Sequence, residues 1–121
     1  MYHLEIVETF SAAHALRNYP GVCARTHGHN WKIRIGLSCD RLDENGMTAD
    51  YADLKKIVDA LVLEFDHNFF NEHPFFQQNN PTSENIAKYM YDYLQNRFPK
   101  TVRLDDVQVW ETENFSVRYH P

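Results

Sequence analysis

Apolar residues return at every second position in two early stretches of the chain. Tyr2, Leu4, Ile6 and then Phe10 fall on one parity; Trp31, Ile33, Ile35, Leu37 and Cys39 do the same further on. Successive side chains of a strand leave opposite faces, so both stretches predict half-buried β-strands. Between them, Arg17 to Thr26 contains Asn18, Pro20 and Gly21 and reads as a loop. Asp43-Glu-Asn-Gly46 supplies a turn after the second strand. From Asp50 to Phe65 the period changes: Tyr51, Leu54, Ile57, Val58, Leu61 and Phe65 lie on one helical stripe, with Asp50 as its cap. Asp66-His67-Asn68 then falls at the helix end, and His73 to Pro81, with two prolines, reads as a loop. Pro81-Thr82-Ser83-Glu84 opens a second helix whose stripe is Ile86, Ala87, Met90, Leu94 and Phe98, stopped by Pro99. Val107, Val109 and Glu111 predict a third strand, and Phe115, Val117 and Tyr119 a fourth, joined at Glu113-Asn114. The order is β-β-α-α-β-β. An antiparallel sheet with both helices on one face is the natural two-layer α+β solution. The sheet edges would be open to pairing with other subunits.

The 121 residues are expected to form one domain over 1–121. With 43% hydrophobic and 14% aromatic residues the chain can bury a modest core. A net charge of −5 argues against a nucleic-acid partner, although a local pocket can still attract an anionic small molecule. No apolar run reaches the length of a membrane span, and the first residues do not resemble a signal peptide. Two cysteines are few for a disulfide scaffold, so a cytoplasmic location is expected.

The chemistry gathers in the first third. His27 and His29 share the parity of Trp31 to Cys39, so a strand extended backward presents both imidazoles on one face, close enough to hold a cation. His14 stands thirteen residues upstream. Three neutral imidazoles with one open position make a catalytic zinc site, whereas a structural zinc is closed by four protein ligands. Gly28 between the pair offers room for close backbone approach. On spacing alone the alternative stands that these are three unrelated polar residues near strand ends. Cys23, in a polar loop near Arg25, is a candidate general base or nucleophile; the alternative is a small buried residue, which is the reading for Cys39. Asp66-His67 pairs a carboxylate with an imidazole, or simply ends a helix with a favoured residue. Glu111 places an acid where the alternation of Val107 and Val109 expects an apolar side chain. It would need a partner such as paired N–H donors, unless the strand has already ended. Thr82-Ser83 is most simply a helix cap, with ligand contact as the second possibility.

These segments together resemble the 6-pyruvoyl-tetrahydropterin and 6-carboxytetrahydropterin synthase family over nearly the whole chain. The matching motifs are Phe10-Ser-Ala-Ala-His14, Cys23-x3-His27-Gly-His29, Gly46-Met-Thr-Ala-Asp50-Tyr-Ala-Asp-Leu-Lys55, Phe65-Asp66-His67-Asn-Phe-Phe-Asn71, Pro81-Thr-Ser-Glu-Asn85 and Glu111-Thr112. The resemblance implies a T-fold whose subunits close into a barrel, as a homohexamer built from two trimers with sites at subunit interfaces. It implies a zinc ion held by His14, His27 and His29, and 7,8-dihydroneopterin triphosphate as the substrate. Cys23 is implied as the proton-abstracting residue with Asp66 and His67 as relay, and Glu111 as the anchor of the pterin's amino-pyrimidine edge. Thr82 and Ser83 are implied as further pterin contacts, and no redox cofactor is implied. The short Cys-x3-His-Gly-His spacing is similar to bacterial 6-carboxytetrahydropterin synthases, lyases of 7-deazaguanine (queuosine) biosynthesis. The alternatives are a pyruvoyl synthase that only eliminates triphosphate, or a non-catalytic zinc or pterin-binding module. Asn68 stands where some relatives carry a second histidine. Cys23 speaks against a branch that has glutamate at that position.

Overall fold

The computed structural model describes residues 1–121. Both alternating stretches form long strands, β1 (Tyr2–His14) and β2 (His27–Cys39), paired antiparallel over their full length from Tyr2 opposite Cys39 to His14 opposite His27. Helix α1 (Tyr51–Leu63) follows, then a two-residue strand β3 (Asn68–Phe69), a short helix α2 (Pro74–Gln78), helix α3 (Ser83–Leu94), and the hairpin β4 (Arg103–Thr112) and β5 (Phe115–Tyr119). The sheet order is β3-β1-β2-β4-β5. All pairs are antiparallel except β1 with β3, which is parallel. The two-layer α+β arrangement expected from the pattern is therefore present, with a fifth strand added at one edge.

Parity decides which face is covered. Trp31, Ile33, Ile35, Leu37 and Cys39 of β2 are buried, as are Phe10 and Ala12 of β1 and Val107 and Val109 of β4. They meet Leu54, Val58 and Leu61 of α1, Phe65 just beyond it, and Ile86, Ala87, Met90 and Leu94 of α3. Helix α3 lies against β4 and β5, and α1 against β1 and α3. Each fully buried Val, Leu, Ile, Phe or Met among them contributes about 1.5–3 kcal/mol. Gly36 has a spatial reason: an added Cβ would stand 2.6 Å from Asp106 Oδ1, where that carboxylate accepts from Arg34 Nη2.

Four local expectations are corrected. Tyr51 is 73% exposed, beside the outer strand β1, although Leu54 one turn on is buried. The second helix stops at Leu94 rather than Phe98. Gln95 N–H closes onto Tyr91 O, and Asn96 takes a left-handed φ of 68°, a conformation asparagine tolerates well; Phe98 still packs on the core. The segment predicted as a loop after His73 contains α2, whose N-terminus is capped by His73 Nδ1 accepting Phe75 N–H, with Pro74 at the first position. The pairing of β3 with Ala12 and Ala13 of β1 is too short to leave a periodic signal. The two expected caps are present: Asp50 accepts Ala52 N–H and Thr82 accepts Asn85 N–H. No helix is long and apolar enough to cross a membrane.

A candidate metal centre at the end of the central strands

The register of β1 with β2 brings three distant histidines together. His14 stands directly opposite His27, and Ala12 opposite His29, so all three imidazoles leave the same face as Phe10 and Trp31. Their ring centroids are 4.5, 4.8 and 5.2 Å apart. Trp31 lies beneath two of them at 5.1 and 5.4 Å and is itself fixed by Nε1–H donation to Ala12 O. His14 is fully buried.

The ring nitrogens are set by backbone carbonyls. His14 Nδ1 donates to Pro81 O at 2.8 Å, and His27 Nδ1 donates to Arg25 O at 2.7 Å. A carbonyl only accepts, so each proton sits on Nδ1 and each neutral ring turns a bare lone pair outward on Nε2. Those two Nε2 atoms are 2.9 Å apart. Two lone pairs cannot satisfy each other; a cation between them can. His29 Nε2 is buried with no hydrogen-bond partner. It lies 2.9 Å from Glu111 Oε1, close enough for an ion pair but without hydrogen-bond alignment. Burial is the main influence on both His14 and His29 and pulls their pKa values below the usual imidazole range, against the opposing pull of Glu111. Neutral imidazole is the form that ligates metals. The donor set, its tautomers and its unpartnered nitrogen all fit a metal ion, with the Nδ1 contacts supplying the outer-shell bonds such sites use. Gly28 has no tight neighbour: an added Cβ would meet Ala12 O only at 3.9 Å, so the expected close approach is not its role.

Glu111 sits where the β4–β5 register shifts, between Trp110 and Thr112. Its Oε1 is also 3.5 Å from His14 Nε2, and its Oε2 accepts the Ser83 hydroxyl at 3.0 Å. The acid on an apolar parity is thus explained by histidines on one side and a nearly buried serine on the other. The ligand atoms of His14, His27, His29 and Glu111 all lie within 4.8 Å of one another. A cavity of about 310 Å³ adjoins them, lined by Leu16, Thr82, Ser83, Glu84, Glu111 and Phe115 among others. Thr82 is engaged as the cap of α3, whereas Ser83 holds Glu111.

Cys23 lies in a single helical turn, Val22–Ala24, within the loop that leaves His14 and returns to His27. It is half-buried, and its carbonyl accepts Leu16 N–H. Asp66 and His67 do pair: His67 Nδ1 is 3.0 Å from Asp66 Oδ1. The Ser11 N–H, first among several donors, holds the Asp66 carboxyl below the usual carboxylate range. His67 takes a left-handed φ of 59°, a strained choice for a non-glycine residue, and its N–H donates to Ser11 O. Its ring is 83% exposed and borders a cleft of about 600 Å³ that includes Ser11, His29, Asn30 and Glu72 but neither Cys23 nor His14. No hydrogen bond joins Asp66 or His67 to Cys23 within one chain.

Other site-building residues carry no sequence signal of their own. The segment after β1 is clamped to the turn between β3 and α2 and to the connector before α3. Asn71 Oδ1 accepts Ala15 N–H while its Nδ2 donates to Ala15 O, and Asn80 does the same with Arg17. This clamp keeps the Pro81 carbonyl over His14. Asparagines between helices read only as polar loop residues, and a backbone carbonyl cannot be read from residue type at all.

A sheet whose central strands end in three convergent imidazoles, backed by carbonyls and a carboxylate, defines an α+β protein with a site that could hold a metal ion. The sequence profile of 6-pyruvoyl tetrahydropterin synthase matches residues 3–121, and the chain belongs to that family. It is 35% identical to a 6-carboxy-5,6,7,8-tetrahydropterin synthase of Synechocystis over 92% of this chain and 87% of that protein. It is 37% identical to the human 6-pyruvoyl tetrahydrobiopterin synthase over 77% of this chain and 65% of that one. The solved 6-pyruvoyl tetrahydropterin synthase of Caenorhabditis elegans is similar with a TM-score of 0.87 at 30% identity, covering 99% of this chain and 95% of that one. The arrangement of sheet and helices is the T-fold that the resemblance implied.

Proposed function

We propose that this protein is a zinc-dependent lyase that converts 7,8-dihydroneopterin triphosphate to 6-carboxy-5,6,7,8-tetrahydropterin, releasing triphosphate and acetaldehyde, in cytoplasmic 7-deazaguanine (queuosine) biosynthesis. The observation that carries it is the convergence of three imidazoles, each with a bare or unpartnered Nε2, beside the thiol-bearing loop. The Synechocystis relative's name and the short spacing from Cys23 to His27 favour the carboxy product.

His14, His27 and His29 would hold the zinc, whose chemistry is to polarise side-chain oxygens and make neighbouring protons more acidic. Glu111 would accept the two N–H donors of the pterin's amino-pyrimidine edge, with Ser83 fixing the carboxylate for that task. Thr82 and Ser83 line the same cavity. Cys23 would take a proton from the substrate side chain, with Asp66-His67 returning protons to oxygen or carbon. The exposed ring of His67, with no bond to Cys23 in one chain, supports a site completed by a neighbouring copy, within a homohexamer made of two trimers. The long strand β1 adds to this: only Ala12 and Ala13 pair with β3, leaving most of its outer edge open.

The second reading is a pyruvoyl synthase, favoured by the human relative and by the C. elegans structure. Incubation of zinc-loaded protein with 7,8-dihydroneopterin triphosphate, with mass spectrometry and an acetaldehyde trap, separates the two. A 6-carboxy pterin with acetaldehyde supports the proposal. A pyruvoyl product without acetaldehyde moves the protein to the other branch, and no turnover at full zinc occupancy would support a binding module instead.

A further inference from the structure

The two oxygens of Glu111 serve different neighbours. Oε1 lies 2.9 Å from His29 Nε2 and 3.5 Å from His14 Nε2. Oε2 accepts the Ser83 hydroxyl, on the side of the cavity shared with Thr82, Glu84 and Phe115. Ligands about 2.0–2.2 Å from a tetrahedral zinc stand roughly 3.4 Å from each other. The spacing of 2.9 Å between His14 and His27, and the two spacings to Glu111, already approach the edges of such a tetrahedron. Glu111 also sits at the break in the β4–β5 register, the kind of position that re-aims a side chain, and its side chain keeps 31% exposure.

We propose that Glu111 is the fourth metal ligand of the substrate-free enzyme, and that a heterocycle presenting paired N–H donors draws it off and so opens the fourth position. The hand-over rests on the pterin reading above for its occupant; the ligation does not. A carboxylate cannot give its full charge to a cation and to two N–H donors at once, so seating the ring and freeing the metal become one event. A centre with four protein ligands is closed. Opening it only when the correct ring is bound keeps water and stray ligands off the metal, and makes ring recognition a condition of chemistry rather than only of binding.

The test uses zinc competition against a chromophoric chelator, and the visible absorption of the cobalt(II)-loaded protein. Glu111→Gln is expected to bind zinc at least tenfold more weakly than the wild type at unchanged oligomeric state. Ser83→Ala, which frees Oε2, is expected to show a smaller loss in the same direction. Unsubstituted pterin, which has no side-chain oxygens to offer the metal, is expected to change the cobalt spectrum of the wild type but not of Glu111→Gln. Equal zinc affinity in wild type and Glu111→Gln would overturn the ligation. Pterin that binds the wild type, as seen by quenching of its fluorescence, yet leaves the cobalt spectrum unchanged would overturn the hand-over. Absence of pterin binding to the wild type would overturn the hand-over together with the pterin reading, while zinc competition still decides the ligation by itself.

Discussion

Two clusters in this chain are made of the same residue types and behave differently. At the strand ends, His14, His27 and His29 face Glu111. Between the helices, His73 faces Glu64 and Tyr89. In both, an imidazole Nε2 lies within 2.9 Å of a carboxylate oxygen. In the helical cluster both ring nitrogens of His73 and the Tyr89 hydroxyl are used, and Glu64 Oε1 takes two of these contacts. His73 Nδ1 accepts Phe75 N–H, His73 Nε2 contacts Glu64 Oε1 at 2.8 Å, and the Tyr89 hydroxyl donates to the same oxygen at 2.9 Å. Phe65, Phe75 and Phe76 pack around it. Burial first, and Glu64 second, push the Tyr89 phenol well above its ordinary pKa, so it remains a donor at any working pH. That cluster ties α1, α2 and α3 together. At the strand ends the polar atoms are left over: two Nε2 lone pairs oppose each other and the third has no partner. Composition does not separate a structural knot from a binding centre; satisfaction of the donors and acceptors does.

The contrast can be broken most severely at the strand ends. His27→Ala is expected to lose its metal, with an affinity drop beyond the roughly 100-fold that marks loss of an outer-shell partner; metal analysis checks it, and a fully metallated variant would remove His27 from the ligand set. Cys23→Ala is expected to lower turnover by about 10²–10⁴-fold, as for loss of a positioned proton acceptor, while metal content stays unchanged. Loss of metal in that variant would make the cysteine a ligand instead. His73→Ala is expected to act in the opposite way. It strands Glu64 and the cap of α2 at a cost of about 1–3 kcal/mol, read by denaturant unfolding, and leaves metal affinity unchanged. The smallest effect belongs to Asp66→Asn and is confined to acid. The carboxyl of Asp66 is held below its ordinary value of 3.8, so the folded state binds its proton less readily than the unfolded chain. Its contribution to stability is complete above that value and fades as pH falls through the lower folded one. Wild type and Asp66→Asn should therefore converge in stability as the pH drops below the ordinary value. A gap that widened in acid would show the opposite sign.

Much of this was legible before any coordinates. The strict alternation from Trp31 to Cys39 carries backward onto His27 and His29, so their common face followed from period alone. Glu111 stood out because it broke the parity of Val107 and Val109. His14 was a candidate from its spacing and a ligand by resemblance; the physical reason it joins the pair is the full-length register of β1 with β2, which no local pattern states. The role of Pro81 was invisible because it acts through its carbonyl. His73 showed no pattern because its partners, Glu64 and Tyr89, come from two other helices. Both α2 and the true end of α3 were missed where short-range capping by His73 and Asn96 overrode composition.

The central claim is that unpartnered imidazoles, and not histidine–carboxylate proximity as such, mark the metal centre. Metal content of protein purified without added zinc tests it most directly, for the wild type, His27→Ala and His73→Ala side by side. About one ion per chain is expected in the wild type and in His73→Ala, and none in His27→Ala. A metal-free wild type, or an ion lost with His73 and kept without His27, would contradict it.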